Sequence, residues 1–196
     1  MPGISNQKSP CSNPAEKQLW YDTFFEDTVF FKCYIQTLAL ISKKEFLDSF
    51  FVAVDSAYQR DVKLIYKTFP GYRFEGKKIL YDNQNRIERI LDPTNAVQAN
   101  VVAFDPQSRL LRLKIGNLKS LPIVLKKVSL DNLRLEIAQG PSVLNGKRTS
   151  SATFFHSIMC RIPRSVAWSV KLVGALAVEY SLLGMDKPQM AKVCPK

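Results

Sequence analysis

The chain is poor in the residues that catalysis and metal binding draw on. It has one histidine, His156, set between Phe155 and Ser157 in an apolar run. A packed or edge position suits it better than the role of a general base. No G-x-S-x-G, H-E-x-x-H, P-loop or G-x-G-x-x-G pattern occurs, so the common signatures of hydrolases, zinc proteases and nucleotide-dependent enzymes are missing. The four cysteines (Cys11, Cys33, Cys160, Cys194) form no C-x-x-C pair and no Cys/His metal spacing. They read as unpaired thiols of a reducing compartment. Glu26 and Asp27 are adjacent, but neighbouring strand residues point to opposite faces and make no catalytic dyad. No catalytic residue, metal site or cofactor is expected, and the chain reads as a non-enzyme.

Long apolar runs are lacking too. The most apolar stretch, Ser165–Gly184, contains Lys171 and Glu179, and the uncharged piece Leu172–Val178 is too short to span a bilayer. The N-terminus has no apolar core of a secretory signal. Pro2 rules out N-myristoylation, and Cys194 is one place too late for prenylation. The chain is expected not to be secreted and to meet a membrane only from its surface.

Acid is scarce where base gathers. Residues 1–61 hold 6 Lys/Arg and 8 Asp/Glu, whereas residues 62–196 hold 22 and 9. Pro106–Leu130 carries Arg109, Arg112, Lys114, Lys119, Lys126 and Lys127 with no acid. Ile137–Val178 adds Lys147, Arg148, Arg161, Arg164 and Lys171, again with none. Solubility needs no such segregation. A polyanion partner, RNA or an anionic membrane surface, is its direct physical reading.

Along the chain, residues 1–18 read as a disordered arm, 19–185 as one α+β domain and 186–196 as a loose tail. Thr28–Ile41 alternates imperfectly and is aromatic and β-branched, which predicts a strand. Ser42-Lys43-Lys44-Glu45 is a capping box, and the apolar spacing after it predicts an amphipathic helix over 43–59. Short strands follow at Val62–Phe69, Lys77–Tyr81, Arg86–Leu91, Val97–Phe104, Leu110–Ile115, Pro122–Val128 and Asn132–Ala138. For Thr149–Leu183 periodicity leaves helix and strand open, with Ser165–Leu183 read as a long bent strand, bulged at Gly174. The expected fold is an antiparallel sheet with one main helix packed on it.

Alternation places Leu111, Leu113 and Ile115 inward and turns Arg112 and Lys114 outward. Lys119 falls in the next turn, and Lys126 and Lys127 lie on the following strand. With Arg109 they are expected to form one basic stripe for phosphate groups, without sequence readout. Lys147 and Arg148, on the Asn145-Gly146 turn, are a second candidate. Aromatics are few in the Pro106–Leu130 stretch, which argues against base stacking there. RNP, KH and zinc-finger patterns are absent. Trp20, Tyr21, Phe24 and Phe25 are candidates for self-association or membrane contact, or else for closing over the core.

The layout resembles the matrix proteins of rhabdoviruses, and among them a plant-infecting, cytorhabdovirus-like branch. Three parts carry the resemblance. One is a polar arm leading into Trp20-Tyr21 and Phe24-Phe25 and an aromatic strand. Another is the capped helix followed by Val62-Lys63-Leu64-Ile65-Tyr66. The third is Arg161-Ile162-Pro163-Arg164 entering the long alternating strand. No P-P-x-Y or P-[ST]-A-P motif is present. The resemblance implies a non-enzymatic virion protein that self-associates, binds nucleocapsid RNA and bridges it to the inner membrane surface in the host cytoplasm. A viral nucleic-acid-binding protein for movement or silencing suppression is the alternative.

Overall fold

A computed structural model describes residues 25–72, 75–131, 133–147 and 152–195. Three helices come first: α1 (Thr28–Ile41), α2 (Lys44–Thr68) and α3 (Gly76–Leu91). Eight strands follow: β1 (Val97–Asp105), β2 (Leu110–Asn117), β3 (Ile123–Leu130), β4 (Leu133–Gln139), β5 (Val143–Leu144), β6 (Phe155–Arg161), β7 (Leu176–Leu182) and β8 (Gln189–Cys194). A 3-10 turn, Val170–Ala175, precedes β7.

Seven of the strands close a barrel in the order β4-β6-β2-β1-β8-β7-β3, and β3 pairs back to β4. The closure corrects the expected antiparallel sheet with one main helix, as does the mixed pairing, since β1 and β8 run parallel while the other pairs are antiparallel. Closure works because β4 changes neighbour along its length. Its start pairs with β3 (Leu130 with Leu133) and its end with β6 (Glu136 with Arg161). β5 takes the edge of β3 that β4 leaves. The interior is filled from every wall by side chains such as Leu113, Ile123, Leu135, Ile158, Val178 and Val193, each of which contributes about 1.5–3 kcal/mol on burial.

Several other expectations change for identifiable reasons. Segment 28–41 is a helix, because Asp27 caps it by accepting from the backbone N–H of Val29 and Phe30. Ile35 is then driven into the core with Phe31, Leu38 and Ala39 around it. Ser42 caps no helix start. It ends α1, and its hydroxyl donates to Ala39 O, so the capping box is not made. α2 runs on through the expected strand 62–69, since Val62 and Ile65 continue the inward stripe of Leu47, Phe51 and Tyr58. The expected hairpin over 77–91 is helix α3, whose Tyr81, Gln84, Ile87 and Leu91 face inward at helical spacing. The bent strand over 165–183 is half turn and half β7. The expected loose tail contains β8, which sits between β1 and β7.

α1 and the end of α3 cover one barrel end. Gln36 Nε2 donates to Gly184 O at 3.1 Å, and Ile35 and Leu91 belong to the same core as the barrel. Gly184 has φ +78, and a Cβ there would meet Lys32 Cγ at 2.8 Å, so this turn suits glycine on both counts. The other end is plugged by residues 162–175, where Trp168 packs on Phe104 with ring centroids 5.2 Å apart. Arg109 ties this plug down. Its Nη2 donates to Pro163 O and Val166 O, each at 2.5 Å, and its Nε donates to Ile162 O at 3.3 Å.

Candidate nucleic-acid interface

The outer wall made by β8, β1, β2 and β6 concentrates unpaired base. Strand alternation buries Leu111, Leu113 and Ile115 in the barrel and turns Arg112 and Lys114 to solvent, with about 6.6 Å between alternate residues on one face. Register sets their neighbours. Lys114 lies between Asn100 on β1 and Ser157 on β6, and Arg112 between Ala103 and Met159. Cys194 stands beside Asn100, which puts exposed Lys192, two residues back on β8, on the same face. Arg161 closes the far corner, 3.8 Å from Glu136. The acid on these four strands is Asp105, at the tip of β1. Its carboxylate accepts from the Ser108 hydroxyl and then from the Gln107 N–H, which hold its pKa below the usual range. Among the described residues none of Arg112, Lys114 and Lys192 is in an ion pair.

Along β2 the band leads to a second basic group at the helix-bearing end. Lys147 N–H donates to Lys119 O at 2.6 Å. Asn117 fixes both loops: its Nδ2 donates to Leu121 O, Leu144 O and Asn145 O, and its Oδ1 accepts from Lys119 N–H. Asp92 lies close by, with its carboxyl pKa lowered by hydrogen bonds from Thr94 and then by the charges of Lys119 and Lys187. Asn117, Asn145, Lys147, Phe154 and His156 line a cleft of about 320 Å³. Phe154 is 74% exposed and stands edge-on to His156, with centroids 4.7 Å apart. An exposed ring beside lysines is an arrangement on which a base can stack while its phosphate is neutralised.

The predicted single stripe is therefore divided. β3 lies three strands from β2 one way round the barrel and four the other, so Lys126 and Lys127 point away from Arg112 and Lys114. Lys126 is exposed at a bulge, and Lys127 is 2.8 Å from Glu179. Arg109 faces the plug. Lys119 and Lys147 are brought together, while Arg148 lies outside the described residues, as do Trp20, Tyr21 and Phe24. Phe25 packs edge-on against Phe31 and Tyr34.

No protein-family model matches the chain, and no curated protein does. Among solved structures, the chain is similar to a GH20 exo-β-N-acetylglucosaminidase from Vibrio harveyi in complex with N-acetylglucosamine. The identity is 12% and the TM-score 0.21, over 51% of this chain and 17% of that one. An inactive mutant of that enzyme gives 13% identity and a TM-score of 0.19 over the same shares. Likenesses this slight carry no argument about fold or activity.

Lys192 and Phe154 are the residues that sequence reasoning missed. Lys192 sits in a segment expected to be loose, and Phe154 in one whose structure periodicity left open. Among the described residues no cluster of His, Cys, Asp and Glu side chains is placed to hold a metal ion. No helix among them is long and apolar enough to cross a membrane.

Proposed function

We propose that this chain is a non-enzymatic RNA-binding protein of matrix type, whose barrel wall lies on the phosphate backbone of a nucleocapsid or of free RNA. The observation that carries the reading is the ion-pair-free base of Arg112, Lys114 and Lys192, continued by Lys119 and Lys147 to exposed Phe154. Backbone contacts of this kind position a protein without reading sequence. Phe154 adds a stacking surface that any base can use. The matrix role rests on the charge segregation and on the resemblance given above. Two of the elements behind that resemblance, the aromatic strand and the strand at 62–66, are helical, so the basic wall is its main support.

The test is fluorescence anisotropy with a single-stranded RNA, run across a salt series. Binding is expected to weaken with salt, and each phosphate contact removed to flatten the slope of log K against log salt by about 0.7. Arg112→Ala with Lys114→Ala is expected to lower the slope by about 1.4. Phe154→Ala is expected to weaken binding at every salt concentration with the slope unchanged. An RNA affinity indifferent to all three substitutions discards the assignment. Co-sedimentation with anionic vesicles, with and without RNA, separates a membrane-bridging role from binding of RNA alone.

A further inference from the structure

The long helix α2 carries a largely apolar line that is exposed among the described residues. Phe46, Phe50 and Leu64 are 41%, 46% and 56% exposed, and Ala53, Ala57 and Arg60 are exposed with them. Positions 46, 50, 53, 57, 60 and 64 alternate steps of four and three, the spacing of a coiled-coil seam. They form one face of the helix. Leu47, Phe51 and Tyr58 form a different one, turned toward α3. The line borders an apolar groove that continues onto Ile79 and Leu80 of α3.

We infer that this seam pairs with the same seam of a second copy, antiparallel about a two-fold axis at Asp55. The order of side-chain sizes selects that partner. An antiparallel two-fold at residue 55 sets Phe46 against Leu64, Phe50 against Arg60 and Ala53 against Ala57. Large residues then meet at the two ends, and small ones in the middle let the backbones approach. The Arg60 guanidinium, held among the described residues by neighbouring Asp61, gains the face of Phe50. The same operation brings the first turn of one α2, with Glu45, alongside the last turns of the other, with Lys63 and Lys67. A parallel pairing would set Arg60 against Arg60 and forfeit this complementarity. The seam is about 27 Å long, and with α3 beside it about two helices wide. A strip of that size buries about 1,100 Å² in total, the small end of specific interfaces. The dimer is accordingly concentration-dependent. This inference is independent of RNA binding, because the seam and the basic wall share no residue.

The test is sedimentation velocity of the full chain over a concentration series. The unaltered protein is expected to shift from monomer to dimer in the micromolar range. Ala57→Glu, at an exposed helical position, is expected to raise the dimer dissociation constant at least tenfold, with an unchanged Tm at concentrations where both proteins are monomeric. A chain still monomeric at ~100 μM overturns the inference. So does a dimer that A57E leaves intact.

Discussion

Arg109→Ala separates the structural from the functional use of a basic residue in this chain. Sequence reasoning groups Arg109 with Arg112 and Lys114. The structure gives its guanidinium three carbonyl partners, at Ile162, Pro163 and Val166, and a place over Phe104, 5.9 Å from the ring centroid. Hydrogen bonds to a charged group contribute about 1.5–3 kcal/mol each. They are not additive, and water replaces part of the loss at a half-buried site, so a total near 3 kcal/mol is the working figure. For a domain of this size that is a fall in Tm of about 6–12 °C. The backbone refines the test. Arg109 has φ +58, a region that costs a non-glycine residue about 1–2 kcal/mol. Arg109→Gly releases that strain and Arg109→Ala keeps it, so the glycine variant is expected to be the less damaged of the two. This order reverses the usual one at exposed positions. Thermal unfolding followed by circular dichroism gives the Tm values, and RNA anisotropy on the folded variants gives affinity. A Tm within 2 °C of the parent refutes the tethering role. A folded R109A that loses as much RNA affinity as Arg112→Ala refutes the separation of roles.

Two further outcomes follow from the packing. Gln84, 5% exposed, donates from Nε2 to Ile41 O and Lys43 O, each at 2.7 Å, and so pins α3 to the turn between α1 and α2. Gln84→Met keeps the length and removes the donor, so urea unfolding is expected to show a loss of about 1–3 kcal/mol; an unchanged midpoint rules out the pin. Burial pushes the Cys160 thiol up to about 12, and it is fully enclosed in the barrel. Iodoacetamide at pH 8 is therefore expected to label exposed Cys33 and Cys194 while sparing Cys160 until urea is added, as read by peptide mass spectrometry. Labelling of native Cys160 at the rate of the exposed pair contradicts the barrel interior.

What was legible in the sequence is local. Strands β1 to β4 lie close to where alternation and turn residues put them, and the inward set Leu111, Leu113 and Ile115 is as expected, because a half-buried strand writes its two faces into every second residue. α1 and α3 were hidden for different reasons. The β-branched and aromatic side chains of α1 favour a strand intrinsically, and only its cap and the burial of Ile35 against the barrel decide otherwise. α3 holds Asp82-Asn83-Gln84-Asn85 at its middle, a run with turn chemistry, and its inward face includes a glutamine rather than a fourth apolar residue. Barrel closure was out of reach because it depends on pairings far apart in sequence, β1 with β8 and β4 with β6. The divided basic stripe has the same origin. Alternation tells which side of its own strand Lys127 takes, but not that β3 stands across the barrel from β2.

The position of β8 has a consequence for how the molecule comes to exist. A nascent polypeptide lacking residues 189–194 has β1 and β7 made but nothing to join them, so each exposes a row of unsatisfied amides and carbonyls. Closure of the barrel therefore waits for residues 189–194 to dock beside a strand some ninety residues earlier in the sequence. A chain cut before residue 189 would therefore be a sticky, open-edged product, not a slightly trimmed version of the closed barrel.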